Sequence, residues 1–227
     1  MSQKLVSQDY IFRKKNKALQ FVGDFEGFYK DVNDPWGQKG TDRRLKAYYA
    51  YSRSHLVQTL RRLLCSSRKT NILEVGCGLG YVAVYLQKSL GMKFKVTGID
   101  ISPTAVQKAQ SRFPDLSFKV ADITSSSFKE SGRYDVVIMS QILWYVLENF
   151  PQVFTNVRSL LKPNGYLVFV NAFIRDQKYG RDIVDGFDGL VGYVLTHYPH
   201  QYKIIQAEFD DSKKFLHDDG LLVMRKV

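Results

Sequence analysis

The stretch NILEVGCGLG, residues 71–80, is the part of the chain from which its fold is predicted. Its first half is short and apolar, and its second half carries Gly76, Gly78 and Gly80. An apolar run that glycines interrupt, with a second apolar segment behind it, predicts a buried strand, a tight turn and a helix. Glycines let a ligand approach the backbone, and a helix start presents unpaired N–H groups. Glu74 stands out, because a carboxylate in a buried strand is costly without a partner.

The glycine spacing distinguishes this loop from two phosphate-binding loops. A dinucleotide-binding turn requires G-x-G-x-x-G, whereas the sixth position here is Tyr81. A P-loop requires a Lys followed by Ser or Thr, and no such pair stands at that position. Together with Glu74, the pattern is E-x-G-x-G-x-G. A glycine-rich turn without a ligand is the alternative interpretation, and the residues downstream argue against it.

From residue 71 onwards, strand-like and helix-like segments alternate. The predicted strands are 72–75, 94–99, 117–121, 134–139, 166–170, 202–209 and 221–226, and helices are predicted at 81–90, 104–112 and 153–161. Such alternation predicts a parallel sheet with helices on both faces. The link 210–220 is too short for a crossover helix, so we expect the last two strands to be antiparallel. The expected fold is α/β, a seven-stranded, mostly parallel, doubly wound sheet with an antiparallel last strand and an N-terminal helical extension.

The extension is predicted to occupy residues 1–69 and to serve as a lid. Residues 3–20 are predicted to form a basic helix, and Thr41 or Asp42 is expected to cap a second helix that runs to about Leu64. The loop between them is rich in glycine and aromatic residues, among them Trp36. Aromatic side chains in such a loop need a surface to cover, which is either a ligand pocket or the core of the protein.

The composition narrows the class of protein. The chain has 227 residues, 44% of them hydrophobic, which suits one α/β domain with additions. We find neither an apolar run long enough to span a membrane nor a secretory signal, and we expect a cytoplasmic protein. The two cysteines, Cys65 and Cys77, give neither a disulfide framework nor a metal-binding spacing, so no metal is expected.

Most of the net charge of +11 lies in the first third of the chain. Residues 1–70 hold 15 Lys and Arg against 6 Asp and Glu, whereas residues 71–227 hold 18 against 16. A basic segment attracts anionic partners such as nucleic acid, a phosphorylated substrate or a membrane surface. A solvated helix face is the alternative interpretation of the same residues.

Polar residues follow the predicted strands that come after the glycine loop. Asp100 ends the second strand, Asp122 follows the third, and Ser140 and Gln141 end the fourth. In an open parallel sheet, ligands bind at the carboxyl ends of the strands, where the strand order reverses. An acid 20 residues after the last glycine suits the hydroxyls of a ribose. A single Asp at a strand end is usually a turn residue, but three acids at successive strands, counting Glu74, indicate a site.

These features together resemble the class I S-adenosylmethionine (SAM) methyltransferases of the small-molecule type. ILEVGCGLG resembles their motif I, VTGIDIS the acidic loop, ADIT the adenine-side loop, YDVVIMSQILWYV motif IV, and LKPNGYLVFV the segment along the fifth strand. The resemblance covers about residues 72–227 and implies a SAM-binding domain at residues 70–227. It assigns these residues to the cofactor: Glu74, Gly76, Cys77, Gly78, Gly80, Asp100, Ile101, Asp122, Ile123, Ser140 and Gln141. The density of aromatic residues in the loop of the extension adds Trp36 to them.

The resemblance also limits the acceptor. The Asn/Asp-Pro-Pro-Tyr signature of many amino-methylating DNA and protein enzymes is absent, as is the Pro-Cys nucleophile of cytosine-C5 enzymes. Shorter likenesses, at residues 34–37 and 142–146, point to the nodulation-type sugar N-methyltransferases. They imply a small polar acceptor, anionic in some cases, that is sugar-, nucleotide- or amine-like and is methylated on nitrogen or oxygen. The candidate general bases are His197, Tyr145 and Gln141.

Two other functions compete with this interpretation. The first is an RNA or protein methyltransferase that holds its polymer with the basic extension, although no recognisable RNA-binding module precedes the domain. RNA is therefore not the favoured partner, and DNA is not expected. The second is a binding protein that has kept the fold without transferring methyl groups, which the intact loop and acids argue against.

Overall fold

The computed structural model describes residues 10–227, with the exception of residues 17, 40–41, 65–68, 130–132, 175 and 216. No helix in the described part of the chain has both the length and the apolar character that crossing a membrane requires.

Strands and helices alternate through most of the described chain. The strands are β1 (Phe12–Lys15), β2 (Ala18–Phe21), β3 (Thr70–Val75), β4 (Phe94–Asp100), β5 (Ser117–Val120), β6 (Tyr134–Ser140), β7 (Leu161–Phe173), β8 (Tyr202–Asp210) and β9 (Asp218–Lys226). The helices are α1 (Phe25–Asp31), α2 (Arg43–Leu63), α3 (Tyr81–Leu90), α4 (Pro103–Arg112), α5 (Leu143–Val146), α6 (Phe150–Leu160) and α7 (Gly186–His197), and a 3₁₀ turn at Leu147–Asn149 joins α5 to α6.

Seven of these strands form one sheet in the order β5-β4-β3-β6-β7-β9-β8. The pairs from β5 to β7 are parallel, and β9 runs antiparallel to both of its neighbours, β7 and β8. The prediction of a mostly parallel seven-stranded sheet with an antiparallel last strand is confirmed. The strand order reverses between β3 and β6, and in such sheets this is where a ligand-binding crevice opens.

Helices cover both faces of the sheet. One apolar cluster joins the sheet to α2, α3 and α4, and a second joins its other face to α5, α6 and α7. Neighbouring residues of β3 belong to different clusters, Ile72 to the first and Leu73 to the second. A strand that is buried on both faces reads as a continuous apolar run, which is why ILEV predicted β3.

Side chains cap the starts of two helices, and the cap of α2 is one of the two that the sequence predicted. The Asp42 carboxylate accepts hydrogen bonds from the backbone N–H groups of Arg44 (2.8 Å) and Leu45 (3.1 Å) at the start of α2. The Ser102 hydroxyl accepts one from the N–H of Ala105 (3.0 Å) at the start of α4, where a proline holds the first position. Thr41, the alternative cap, lies outside the described residues.

The helix predicted over residues 3–20 is wrong within the described residues. The chain forms a β1–β2 hairpin there, in which Phe12 pairs with Phe21 and Lys15 with Ala18. Asn16 at the turn has a φ of 49°, a left-handed conformation that Asn tolerates and tight hairpins use. Residues 1–9 and 17 lie outside the described part. Aromatic packing accounts for the difference, because the rings of both phenylalanines contact those of Tyr145 and Tyr179.

Candidate active site

A cavity of about 430 Å³ lies at the carboxyl ends of β3, β4 and β6. Its floor is formed by the glycine loop after β3 and by the residues that follow the neighbouring strands. The hairpin, α1 and the start of α2 contribute further walls, as do α5 and the loop before β9. This volume falls in the range that holds a cofactor or a drug-sized ligand.

Most of the residues predicted from the sequence meet at this cavity. The main cavity is lined by Trp36, Gly76, Gly78, Asp100, Ile101, Asp122, Ile123, Ser140, Gln141 and Tyr145. Glu74 and Cys77 line a smaller cavity of about 20 Å³, which shares Gly76 and Gln141 with the main one. Gly80 lines neither of them; it precedes α3 with a φ of 79° and faces the ring of Phe118.

Two glycines shape the loop at the cavity floor. Gly76 has a φ of 70°, and a Cβ placed there would come within 2.5 Å of the Ile142 side chain. Gly78 has a φ of 51°, and a Cβ there would collide with the Tyr29 hydroxyl. Both positions therefore require glycine for conformation and for space. Helix α1 thus packs, through Tyr29, against the tight turn that the sequence predicted.

Asp100 holds the glycine loop in place. One carboxylate oxygen accepts a hydrogen bond from the Gly78 N–H (2.8 Å), and the other accepts one from the Ser102 N–H (2.9 Å). The side chain is buried, and burial raises its pKa to about 6, although both hydrogen bonds oppose that rise. A carboxylate has about four lone-pair sites, so Asp100 keeps acceptor capacity toward the cavity.

Asp122 occupies the turn after β5. Its carboxylate accepts hydrogen bonds from the Thr124 N–H (2.8 Å) and the Thr124 hydroxyl (2.7 Å). Both residues line the cavity beside Ile123. Asp122 is thus a turn residue and a wall residue at once, and the two interpretations that the sequence left open are compatible.

The smaller cavity contains two charged side chains with unused hydrogen-bonding atoms. Glu74 is 2% exposed, and its Oε2 has no hydrogen-bond partner among the described residues. The same holds for Nε and Nη2 of Arg53, which α2 places in this cavity. Burial raises the pKa of Glu74 to about 8, although the Arg53 guanidinium opposes that rise. Buried polar atoms are normally paired, so these three indicate a ligand or a water at this position.

The extension is attached to the sheet domain beside the cavity. Glu26 of α1 accepts hydrogen bonds from the hydroxyls of Ser102 (2.6 Å) and Thr104 (2.7 Å), and these bonds lower its pKa to about 2. Trp36 donates from Nε1 to the Tyr29 hydroxyl at 2.9 Å. Trp36 and its neighbouring aromatics therefore form a wall of the cavity, as expected if this segment acts as a lid.

A polar network closes the far end of the cavity. Gln141, with a φ of 62°, donates from Nε2 to the Tyr48 hydroxyl (2.9 Å) and accepts the Ala172 N–H (2.8 Å). A non-glycine residue in this left-handed conformation carries backbone strain, which is common at functional sites. Both the NH₂ group and the oxygen of the Gln141 side chain are engaged by these partners. This suits a residue that positions Tyr48 better than a general base. His217 also lines this end, with its ring against that of Tyr48 at 5.6 Å.

Behind Tyr48, a chain of ionisable groups leads to the surface. The Tyr48 hydroxyl donates to Asp219 Oδ1 (3.0 Å), and Asp219 Oδ2 lies 3.5 Å from His55 Nδ1. His55 Nε2 lies 2.7 Å from Glu208, whose side chain is 46% exposed. The nearby carboxylate of Asp219 raises the pKa of His55, and that of Glu208 adds to the rise, although burial opposes it.

Of the three candidate bases, two line the cavity. Tyr145 does so with a hydroxyl whose pKa burial raises strongly, and Gln141 has been described above. His197 does not line it: its ring stacks on Tyr193 with centroids 4.2 Å apart, and its Nδ1 lies 2.9 Å from the Tyr193 carbonyl oxygen. Within the described residues, no group of three or more His, Cys, Asp or Glu side chains is arranged to hold a metal ion.

Sequence reasoning missed the contributions of α2 and of the loop before β9. Tyr48 and Arg53 reach the site from α2, and His217 from the loop. Arg53 follows Tyr49 by four residues, a spacing that places both on one face of a helix. A charged residue on the mainly apolar inward face of α2 is the signal that indicates Arg53. His217 offers no comparable signal in the sequence.

Comparison with known proteins gives the family of the central segment. Residues 72–165 match the methyltransferase domain family. Among curated proteins, the non-reducing polyketide synthase ausA of Penicillium brasilianum is 33% identical over 141 residues, which make up 56% of this chain and 6% of that protein. The chain thus spans a small fraction of the length of that relative.

Two solved structures share the fold. The N-methyltransferase NodS from Bradyrhizobium japonicum WM9, in complex with S-adenosyl-L-homocysteine, is 20% identical, with a TM-score of 0.65 over 88% of this chain and 97% of that chain. The CurJ carbon methyltransferase is 21% identical, with a TM-score of 0.65 over 91% of this chain and 62% of that chain. At such identities these structures establish the fold alone, and their names state different acceptor atoms.

Proposed function

We propose that this chain is a class I SAM-dependent methyltransferase that transfers the methyl group of SAM to a nitrogen or oxygen atom of a small polar acceptor. The acceptor class is sugar-, nucleotide- or amine-like. The observation that carries this proposal is the buried Asp100 carboxylate bonded to the Gly78 N–H at the point where the strand order reverses. A glycine loop and an acid fixed together at that point form a nucleoside-binding crevice.

The residues present fit the cofactor. Asp100 and Asp122 supply carboxylates at two neighbouring strand ends, suited to the ribose hydroxyls and to the adenine amino group. The unpaired atoms of Glu74 and Arg53 supply both charges beside the glycine loop, as the zwitterionic amino-acid part of SAM requires. When bound, SAM supplies an activated methyl group on a sulfonium.

The work left to the protein is alignment and exclusion of water. In-line displacement depends on holding the acceptor atom, the methyl carbon and the sulfur in one line. The aromatic wall of Trp36 and Tyr145, whose rings lie 5.5 Å apart, covers the cavity on the side of the extension. Gln141 fixes Tyr48 at the opposite end.

The proton that the acceptor atom loses on methylation must also be taken up by a group of the protein. We assign it to Tyr48: the hydroxyl oxygen takes the acceptor's proton while its own proton passes to Asp219. In the balance of this step the acceptor loses one proton, Tyr48 keeps one, and the Asp219 carboxylate gains one.

Labelled-methyl incorporation across sugars, nucleotides, amines and RNA tests the reaction and identifies the acceptor. With the acceptor found, Tyr48→Phe should lower kcat ~100-fold or more, the usual range for loss of a proton-transfer group. Tyr51→Phe is the matched control, because Tyr51 also lies on α2 and donates to a carboxylate, that of Asp210 (2.8 Å), but does not line the cavity. Equal activity of the two variants would remove Tyr48 from the mechanism.

An RNA or protein substrate is the second candidate. It is favoured by one observation, the exposed basic strand Arg13-Lys14-Lys15 of the hairpin that flanks the cavity. RNA affinity that falls steeply with salt would support it, since phosphate contacts release counterions. Methylation confined to small molecules, with no salt-dependent RNA binding, would leave the small-molecule methyltransferase as the remaining candidate.

A further inference from the structure

Basic side chains gather at the end of the sheet that lies opposite the cavity. Strands β3, β4, β6 and β7 begin at this end, β9 ends there because it runs antiparallel to β7, and α2, α3 and α6 end beside it. Cations are favoured in the last turn of a helix by its dipole, which accounts for part of this charge. The basic residues at the ends of strands have no such explanation, because the net dipole of a sheet is small.

A first cluster of cations surrounds the start of β4. Its members are exposed and come from the ends of α2 and α3 and from the start of β4: Arg61, Arg62, Lys88, Lys93 and Lys95. Arg61 connects the two helices, since its Nη2 donates to the Ser89 carbonyl oxygen at 2.7 Å. Met92 lies in the turn between α3 and β4 and is 96% exposed. A fully exposed apolar side chain thus stands among five cations.

A second cluster lies around the end of β9. Lys203 and Arg225 are directly opposite each other in the antiparallel pair of β8 and β9. Burial lowers the pKa of Lys226, and the nearby cations of Arg158 and Arg133 lower it further. Like charges that face each other across a sheet destabilise it. The chain therefore holds these five cations together at a cost in stability.

Acidic side chains balance neither cluster. Among the described residues, no carboxylate forms an ion pair with a member of either one. Asp135, near the start of β6, is buried, and its Oδ2 lies 2.8 Å from Nζ of Lys162. Asp115 precedes β5, whose first residue pairs with Thr97 halfway along β4, and so lies away from this end. This end of the sheet therefore presents positive charge that only an external partner can neutralise.

We propose that the two clusters form a docking surface for an anionic membrane, with Met92 inserting among the lipid headgroups. This inference goes beyond the proposed function and does not depend on it. Anionic lipids attract each Lys or Arg that comes near their surface. An apolar side chain among those cations adds a contribution that does not depend on charge.

The arrangement of the clusters favours a flat partner. Strands β4 and β9 are separated by β3, β6 and β7, so that the two clusters lie about 19 Å apart at ~4.8 Å per strand. Surfaces that bind single-stranded RNA stack its bases on aromatic rings. Phe209 is the only exposed Phe, Tyr or Trp in the described part of the chain, and it pairs with Gly220 near the opposite end of the sheet. A lipid surface therefore fits these residues better than RNA does.

Sedimentation of the full chain with lipid vesicles tests the proposal. Vesicles of phosphatidylcholine alone should leave the chain in solution, whereas vesicles in which about one lipid in three is phosphatidylserine should bind it. Salt at about 0.5 M should release most of the bound chain, because it screens these charges. Equal binding to both kinds of vesicle, or binding to neither, would overturn the proposal. RNA binding without binding to anionic vesicles would assign the surface to nucleic acid instead.

Two charge reversals locate the surface. Lys93→Glu/Lys95→Glu should weaken binding to the anionic vesicles at least ~tenfold, because attraction is replaced by repulsion at both positions. Lys213→Glu/Lys214→Glu is the matched control: it makes the same change of charge at two exposed lysines in the loop before β9, at the end that holds the cavity. It should change binding less than about twofold, because these charges lie more than a Debye length from the clusters. The same loss in both variants would overturn the assignment to this end.

Met92 has its own test. Met92→Gln keeps every charge and should weaken binding to the anionic vesicles at least ~threefold, with the same salt dependence as the wild type. Unchanged binding would overturn the insertion of this side chain.

The orientation of the bound chain can be checked with S-adenosylhomocysteine. Because the cavity opens at the other end of the sheet, calorimetry should give the same affinity for this ligand with and without anionic vesicles. Loss of affinity on vesicles would overturn the orientation. Failure of the chain to bind the ligand in either case would contradict the proposed function and leave the vesicle result as it stands.

Discussion

Asp100 connects the structure of the loop to the binding of a ligand. Its two hydrogen bonds, from Gly78 and Ser102, fix the glycine loop and the start of α4 relative to each other. The side chain is only 7% exposed, so these bonds offset a large part of the cost of burying it. A group that organises the loop before the ligand arrives spares the ligand that ordering cost.

Removing this carboxylate should weaken cofactor binding without unfolding the protein. Asp100→Ala leaves the Gly78 N–H unpaired and removes the acceptors for a ribose, each charge-assisted bond contributing about 1.5–3 kcal/mol. We expect S-adenosylhomocysteine affinity to fall at least ~tenfold in calorimetry. Circular dichroism should show the native fold, and unchanged affinity in a folded variant would place the ribose elsewhere.

Gly78 permits a second residue-level test with a matched control. Gly78→Ala combines a left-handed backbone, costing about 1–2 kcal/mol for an L-residue, with the collision against Tyr29. Gly186 has a similar φ of 69°, but nothing lies within 4 Å of a Cβ placed there.

Urea unfolding should therefore show a larger loss of stability for Gly78→Ala than for Gly186→Ala. Only Gly78→Ala should also weaken S-adenosylhomocysteine binding. The same stability loss in both variants would mean that the Tyr29 side chain moves aside at little cost and that α1 packs loosely against the glycine loop.

Two of the site residues predicted from the sequence lie at the end of a strand or shortly after it. Asp100 and Asp122 were predictable because the carboxyl ends of parallel strands meet at one edge of a sheet. Tyr48, Arg53 and His217 were not, because their contribution depends on how α2 and a distant loop dock onto that edge. His197 was placed near the site by its position in the chain, whereas packing against Tyr193 holds it away from the cavity.

At the scale of elements, the extension is the least predictable part. The basic run Arg13-Lys14-Lys15 resembled a helix face, yet β1 presents these residues to solvent while Phe12 packs on Tyr179 at 5.0 Å. Contacts between aromatic rings that are far apart in the sequence outweigh the local preference of this segment for a helix. Such contacts cannot be predicted from the sequence of the segment alone. The cap of α2 was predictable because capping is local.

The same extension is predicted to open and close. Described residues of the segments 21–38 and 45–49 line the cavity, and Glu26 accepts hydrogen bonds from Ser102 and Thr104. In a Trp144→Phe background, which leaves Trp36 as the only tryptophan, S-adenosylhomocysteine should change the emission and slow proteolysis within residues 21–40. Glu26→Gln should speed that cleavage in the absence of ligand.

Saturating ligand with neither a change in emission nor protection of the loop would exclude a lid. Trp36 would then belong to the packing between the extension and the sheet.

At the scale of the whole molecule, the order of the strands and the distribution of charge carry different information about the site. The seven-stranded, mostly parallel sheet was predictable, because alternating strand and helix segments indicate the class of fold and the short last link indicates the antiparallel end. The order also brings the residues after β3, β4 and β6 to one crevice. The described charges of the hairpin lie outside this crevice, so net charge gives no information about the chemistry inside it.

A calorimetric titration of the full chain with S-adenosylhomocysteine and, separately, with NAD tests the central claim most directly. The glycine loop, the acid at the end of β4 and the Glu74 and Arg53 side chains beside them predict one S-adenosylhomocysteine bound per chain with micromolar-range affinity, on the order of −8 kcal/mol. They also predict no measurable binding of NAD, because the loop lacks the G-x-G-x-x-G spacing for a pyrophosphate. Binding of NAD without binding of S-adenosylhomocysteine would contradict the account.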